Sequence, residues 1–293
     1  MTVKEARNII MEFDENRNPS EEDVFLFTEA LNFVIEEEKN PRDMMYLGGY
    51  YYEIKRFDLA LKYYEMAASF DFDDAYECLG YIWYYGRTGQ KDYEKAFYYF
   101  EKMMNKGHLV ATYKVADMYK NGYFVEKSQA KYEEIIEGLY PKVRKCRNVF
   151  DPIPEVFTRL ARIRADQGKT EEAINLYLEA KRCLARRISI NAFFGNLNIM
   201  KWLIDDLYEL IEFDEEFFDF FDLYYLLKTP HKITFMHEDK IYTLESVMEG
   251  EECVINFNGK WYHDRDEFFK KAMIDDCVAT SVYSDLYEFE VIE

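Results

Sequence analysis

Along most of the first 227 positions apolar side chains recur at three- and four-residue intervals, and from Pro230 onward they alternate with polar ones. The first period lines one face of a helix and the second lines one face of a strand. Ser20, set between Pro19 and the acids Glu21, Glu22 and Asp23, reads as the N-cap of a helix over 21–38. Thr170 stands in the same relation to Glu171 and Glu172, while Asn121-Gly122 and Gly168 sit where a helix must turn. Residues 197–213 and 214–227 read as two more helices. The second is apolar nearly all round (Phe217, Phe218, Phe220, Phe221, Leu223, Tyr224, Tyr225), which predicts burial on several sides, as a wedge ahead of the alternating segment. In that segment Ile233–Met236 and Lys240–Leu244 predict one hairpin. Val254–Phe257 and Lys260–His263 flank Asn258-Gly259, the strongest two-residue hairpin signal. Asp264 and Glu267 then open a short helix, and 278–283 and 286–292 alternate again.

The helical part is internally repetitive. Leu47-Gly48 is followed by Ala60, Tyr64 and Ala67, and Leu160-Ala161 is followed at the same offsets by Ala173, Tyr177 and Ala180. Small residues at such positions let two antiparallel helices approach, and the tyrosine fills the space beside them. Between these units lies a longer one, with Ala75, Leu79-Gly80, Gly86, Asp92, Lys95-Ala96, Tyr99-Phe100, Met103 and Gly107. A weaker copy has Ala111, Val115-Ala116, Tyr119, Gly122 and Ala130, with Glu133-Glu134 where the aromatic pair would stand. On these residues the chain resembles the Sel-one-like repeat (SLR) and tetratricopeptide superfamily over roughly 41–185, and a bacterial group of SLR proteins in particular.

The expected fold class is mostly α: a helical repeat solenoid followed by a small C-terminal α+β module. Its expected divisions are capping helices at 1–40, units one to three at 41–137, and an irregular insertion at 138–153 that loops out around Pro141 and Pro152. A fourth unit follows at 154–190, then acidic and aromatic helices at 191–228 and the β-rich module at 229–293.

Composition sharpens this in two ways. Most of the 26 Tyr and 24 Phe belong to the core, but so many also suggest an aromatic-lined binding surface. The net charge of −20 argues against general binding to nucleic acid or an anionic membrane, where Lys and Arg supply the affinity. The charge is uneven, with twelve basic against six acidic residues over 142–187 and nine acids without a base over 205–222. No apolar run approaches membrane-spanning length, and Met1–Arg7 lacks the apolar core of a signal peptide. Five widely spaced cysteines without a CxxC suit a reduced compartment, so a cytoplasmic protein is expected.

Catalytic signals are sparse. There is no GxxxxGK[ST], GxGxxG or GxSxG. His231, His237 and His263 gather near Cys253 and Asp264 without metal-ligand spacing, and nothing orients a Cys253/His263 pair. Adjacent acids such as Asp205-Asp206 are what a chain with 57 carboxylates must contain. The expectation is therefore no enzyme, no cofactor and no metal.

The resemblance supplies the candidate site. In such repeats the ligand-facing residues lie on the first helix of each pair, and carrying the offsets over gives Met45, Gly49 and Tyr52 in unit one. Unit two gives Glu77, Tyr81, Tyr84 and Tyr85, unit three Tyr113, Asp117 and Lys120, and unit four Thr158, Arg162 and Asp166. The implied groove is aromatic in its middle and basic towards its end, suited to a protein or peptide partner. Single tyrosines at helical spacing can equally be core. Arg159, Arg162, Arg182, Arg186 and Arg187 either bind an acidic partner or RNA, or pair internally with the acids of 205–222, or are simply solvated, and that acidic excess favours internal pairing. The function expected is a protein-interaction scaffold. The alternative is an immunity- or antitoxin-type inhibitor whose acidic surface occludes a basic enzyme. Self-association into a homo-oligomer is compatible with either.

Overall fold

The computed structural model describes residues 1–16, 18–250 and 252–292, and the chain divides into two compact units, Met1–Ile135 and Ile136–Glu293. The first unit holds α1 (Val3–Glu15), α2 (Glu21–Glu38), α3 (Pro41–Glu53), α4 (Phe57–Ala68), α5 (Asp73–Tyr85), α6 (Tyr93–Asn105) and α7 (Leu109–Asn121). Helix α8 (Gln129–Val143) carries the boundary between the units. Within the first unit α1 packs on α2, α3 on α4 and α5 on α6, and α4–α5 and α6–α7 contacts stack the pairs.

Local chemistry sets these helix ends. The Ser20 hydroxyl accepts from Asp23 N, and the Asp23 carboxylate accepts from Ser20 N at 2.8 Å, a closed capping box. Gly86 and Gly122 end α5 and α7 in the left-handed conformation at φ 61° and 70°. The core of α1–α4 gathers on Phe27, Leu31, Met44 and Leu47, and that of α5–α7 on Phe100, Met103, Val115 and Met118.

The second unit contains α9 (Ile153–Asp166), α10 (Thr170–Ile190), α11 (Phe194–Tyr208), the short α12 (Leu223–Leu226) and a β-rich module. Its five-stranded antiparallel sheet has the order β4-β3-β2-β1-β7, where β1 is Lys232–His237, β2 Lys240–Glu249, β3 Glu252–Phe257, β4 Lys260–Tyr262 and β7 Leu286–Ile292. Asn258 (φ 50°) and Gly259 (φ 80°) form the predicted two-residue turn, with Phe257 opposite Lys260. A minor hairpin joins β5 (Met273–Ile274) and β6 (Cys277–Val278). Helix α13 (Arg265–Lys271) covers one sheet face, setting Phe268 edge-on to Phe257 and Tyr262.

Four local expectations are corrected. Residues 214–227 do not form one helix. They contain a 3-10 turn at Phe220–Asp222 and the four-residue α12. Asp214 accepts from Glu216 N, Asp219 from Phe221 N and Asp222 from Asp219 N, so side chains take the amides a helix needs. Only its second half is buried as expected, with Phe220 and Phe221 fully buried and Tyr224 stacked 3.8 Å from Phe269, whereas Phe217 is 80% exposed. Secondly, Gly138 to Val143 do not loop out, because α8 continues through Pro141 to the buried Val143. Thirdly, Thr170 is the first helical residue of α10 and makes no cap, Lys169 occupying that position. Lastly, within 278–283, where alternation predicted extended chain, 279–281 form a 3-10 turn and a second begins at Tyr283.

Candidate functional site

The site begins with two glycines. A Cβ on Gly48 would lie 2.6 Å from the Tyr64 ring, and one on Gly80 would lie 2.5 Å from the Phe100 ring. The aromatic residue of each second helix therefore occupies the space a side chain would take on the first. This is the packing that Leu47-Gly48/Tyr64 and Leu79-Gly80/Phe100 imply from spacing.

On α5 and α7 the predicted tyrosines converge. The hydroxyls of Tyr81 and Tyr113 are 2.8 Å apart, the Tyr81 and Tyr85 rings lie parallel with centroids 6.0 Å apart, and Tyr84 meets Tyr85 edge-on at 4.9 Å. At their centre is a residue that the offsets did not select. Lys114, 3% exposed, donates from Nζ to the Tyr85 hydroxyl at 2.7 Å. Its ammonium stands 4.8 Å from the Tyr85 centroid, 4.9 Å from Tyr81, 5.1 Å from Tyr84 and 5.3 Å from Tyr113. Among the described residues it forms no ion pair, so ring faces and one phenol balance its charge.

A second cation extends the surface to α3. The Arg87 guanidinium lies 4.6 Å from the Tyr85 centroid and 5.9 Å from Tyr52, whose hydroxyl accepts from Arg87 Nε at 3.2 Å. Beyond Tyr84, Tyr93 and Tyr123 stack at 4.1 Å. Burial raises the pKa of the Tyr52 phenol and pushes that of Tyr81 well above its ordinary value, so both remain neutral donors.

Five predicted residues (Tyr52, Tyr81, Tyr84, Tyr85 and Tyr113) thus form one connected set. They divide by exposure: Tyr113 is buried and braces the others, whereas Tyr85 is 36% exposed. Lys120 lies 5.0 Å from the Tyr132 ring. Arg162 belongs to the second unit, where its Nε donates to Asp206 at 2.6 Å and Tyr177 donates to the same carboxylate at 3.2 Å. Thr158 is buried and satisfied by the Pro154 carbonyl. A lysine on the apolar side of α7, next to a groove tyrosine, was the signal that could have revealed the caged cation.

No family model matches the sequence, and no curated protein matches it. Among solved structures the chain is similar to a Sel1 repeat protein from Oxalobacter formigenes, with a TM-score of 0.50 and 20% identity over 73% of this chain and 80% of that one. The fold is that of a Sel1-like helical repeat. Also similar are c5321, a protective antigen of uropathogenic Escherichia coli displaying an SLR fold (TM-score 0.43, 15% identity, 73% and 50% covered), and PilW, a type IV pilus biogenesis factor (0.42, 16%, 73% and 95%). In SLR-type packing the first helices of successive pairs lie side by side, which is why α3, α5 and α7 can pool their tyrosines.

In the SLR-like chain's second unit the basic residues take different roles. The buried Arg187 binds Glu155 at 2.6 Å, and Lys181 binds Asp222 at 2.6 Å and Asp219 at 2.8 Å. Lys228 pairs with Asp205. The acids of 205–222 thus receive Arg162, Lys181 and Lys228, while Arg187 goes to α9. The C-terminal histidines are dispersed: His237 faces Asp275 at 3.2 Å, and His231 contacts the Thr229 carbonyl at 3.1 Å. Among the described residues no three His, Cys, Asp or Glu side chains are grouped to hold a metal ion, and no helix is long and apolar enough to cross a membrane.

Proposed function

We propose that the protein is a non-catalytic interaction scaffold that takes a segment of a partner protein on the tyrosine surface of α3, α5 and α7. The observation that carries this reading is the fixing of Tyr52, Tyr81, Tyr84 and Tyr85 by Arg87, Lys114 and the Tyr81–Tyr113 bond. Tyrosines immobilised before binding offer large contact area without the entropy cost of ordering loose side chains. Arg162 is omitted from the surface because Asp206 occupies its guanidinium. The test is selection from a displayed peptide library by the wild-type chain and by Tyr52→Ala/Tyr85→Ala, with Tyr98→Ala on α6 as an exposed control. Sequences enriched by wild type and control but lost in the double variant support the scaffold. Identical enrichment by all three refutes it.

A second reading, occlusion of a basic enzyme, has its own support. Glu212, Asp214, Glu216 and Asp219 border a 540 Å³ cavity beside Phe217, which is 80% exposed. An exposed aromatic ringed by acids suits a cationic partner as anchor and guide. Such an association should weaken steeply between low and moderate salt and with Phe217→Ala. Indifference to both would exclude it.

A further inference from the structure

The expected pairing of the basic stretch with the acids of 205–222 holds for Arg162, while Arg187 pairs with Glu155 instead and Arg182 and Arg186 pair with no acid among the described residues. These last two, with Arg144 and Arg147, line one cavity of 450 Å³ between the end of α8, the turn that follows it, the start of α9 and one face of α10. Among the described residues none of the four forms an ion pair. Arg144 donates to the Tyr140 hydroxyl at 3.2 Å, Arg147 to the carbonyls of Arg144 and Cys146, and Arg182 to the Leu178 carbonyl at 3.3 Å. These acceptors are neutral and hold the guanidiniums without discharging them. The lining acids are Asp151 and Glu179, which leaves the cavity two positive charges in excess inside a chain of net charge −20.

The cavity is also built rather than incidental. Arg187 reaches from α10 to the Val149 and Asp151 carbonyls at 3.0 and 2.7 Å while holding Glu155. This buried clamp fixes the 144–152 turn, which carries Arg147, against α10, which carries Arg182 and Arg186. Phe157, Val143 and Ile153 supply an apolar wall. Burial raises both lining thiols, Cys146 and Cys183, above the ordinary range, so neither is a ready nucleophile.

We propose that this cavity is a binding site for a small phosphate monoester. A phosphoryl group carries a charge of roughly −1.5 to −2 at neutral pH, matching the excess, and guanidiniums grip its oxygens in pairs. The apolar wall receives the organic part. The site is independent of the tyrosine surface.

Isothermal titration of the full chain with phenyl phosphate and with inorganic phosphate, at constant ionic strength set by chloride, tests this. Saturable binding is expected, weakened roughly a hundredfold in Arg182→Gln/Arg186→Gln, about tenfold for each guanidinium removed from the phosphoryl oxygens. Phenyl phosphate binding more tightly identifies an organic ester as the ligand, and equal binding identifies free phosphate. Both arginines are exposed, so the variant should retain the wild-type circular dichroism spectrum. Glu179→Gln removes a lining acid and should tighten binding. Absence of binding to either phosphate, equal binding by wild type and the double arginine variant, or weaker binding by Glu179→Gln would overturn the assignment.

Discussion

Replacing Tyr85 by Phe removes the phenol oxygen that accepts from Lys114 at 2.7 Å while keeping the ring beside the ammonium. Lys114 is 3% exposed, so the missing acceptor is not simply replaced by bulk water. A hydrogen bond to a charged group contributes about 1.5–3 kcal/mol. Tyr85 is itself 36% exposed, which admits some solvent and places the expected cost near the lower end, ~1.5 kcal/mol. Lys114→Met keeps the volume and removes the charge, and it should cost little because the desolvation of the ammonium disappears together with its interactions. In that background Tyr85→Phe should cost below ~0.5 kcal/mol, as an ordinary surface substitution does. The four proteins of this cycle can be followed by urea unfolding with Trp83 fluorescence as the report from α5, after the exposed Trp202 and Trp261 are changed to Phe. A coupling of about 1 kcal/mol or more is the signature of the cage. Equal costs of Tyr85→Phe in both backgrounds would show that the phenol does not hold the ammonium.

Gly80→Ala should destabilise the first unit by about 1–3 kcal/mol in the same urea assay, because its methyl would meet the Phe100 ring at 2.5 Å. Gly49→Ala, with nothing within 4 Å of the new methyl, should instead stabilise α3 by up to ~1 kcal/mol through helix propensity. In the second unit Lys181→Met should cost about 3–5 kcal/mol, since it strands the buried Asp222 carboxylate, whereas Asp222→Asn should cost less because Asp219 at 2.8 Å still pairs with Lys181. The double variant should recover most of that loss, measured by thermal melting. Burial pushes the Cys78 thiol up to about 12. At pH 8 only ~10⁻⁴ of it is then thiolate, so iodoacetamide should label the exposed Cys277 and spare Cys78 until the chain unfolds, as peptide mass spectrometry would show.

Much of the architecture was legible because one physical rule repeats. The offset from Gly48 to Tyr64 is a packing distance written in sequence, and it names the two residues that touch. Asn258-Gly259 was legible for a similar reason, since both residues tolerate positive φ. Residues 214–227 misled because apolar content says that a segment is buried, not that it is helical. Asp214, Asp219 and Asp222 decide its path through bonds to nearby amides. The helical continuation through Pro141 was hidden for another reason. Pro141 cannot donate the i→i−4 bond of the last turn, but Leu139 and Val143 are buried and hold the helix there despite that loss. In the candidate site, offsets from the repeat found the tyrosines on α5 and α7 but could not find Lys114. Its role depends on four rings from two helices meeting at one point, and no single helix records that.

The strand order of the C-terminal sheet places β4 and β7 at its two margins. A bare margin is an open row of amides and carbonyls on which another chain can grow, the usual start of unwanted polymerisation. Here β4 is only three residues long. On the other side β7 carries Glu288 and Glu290, and its ladder with β1 is broken between Thr234 and Met236, where Glu288 takes φ 52°. Two like-charged copies of β7 laid together would repel and could not align a straight ladder. Short length on one margin and like charge with a broken ladder on the other thus both work against fibrillar growth at high concentration.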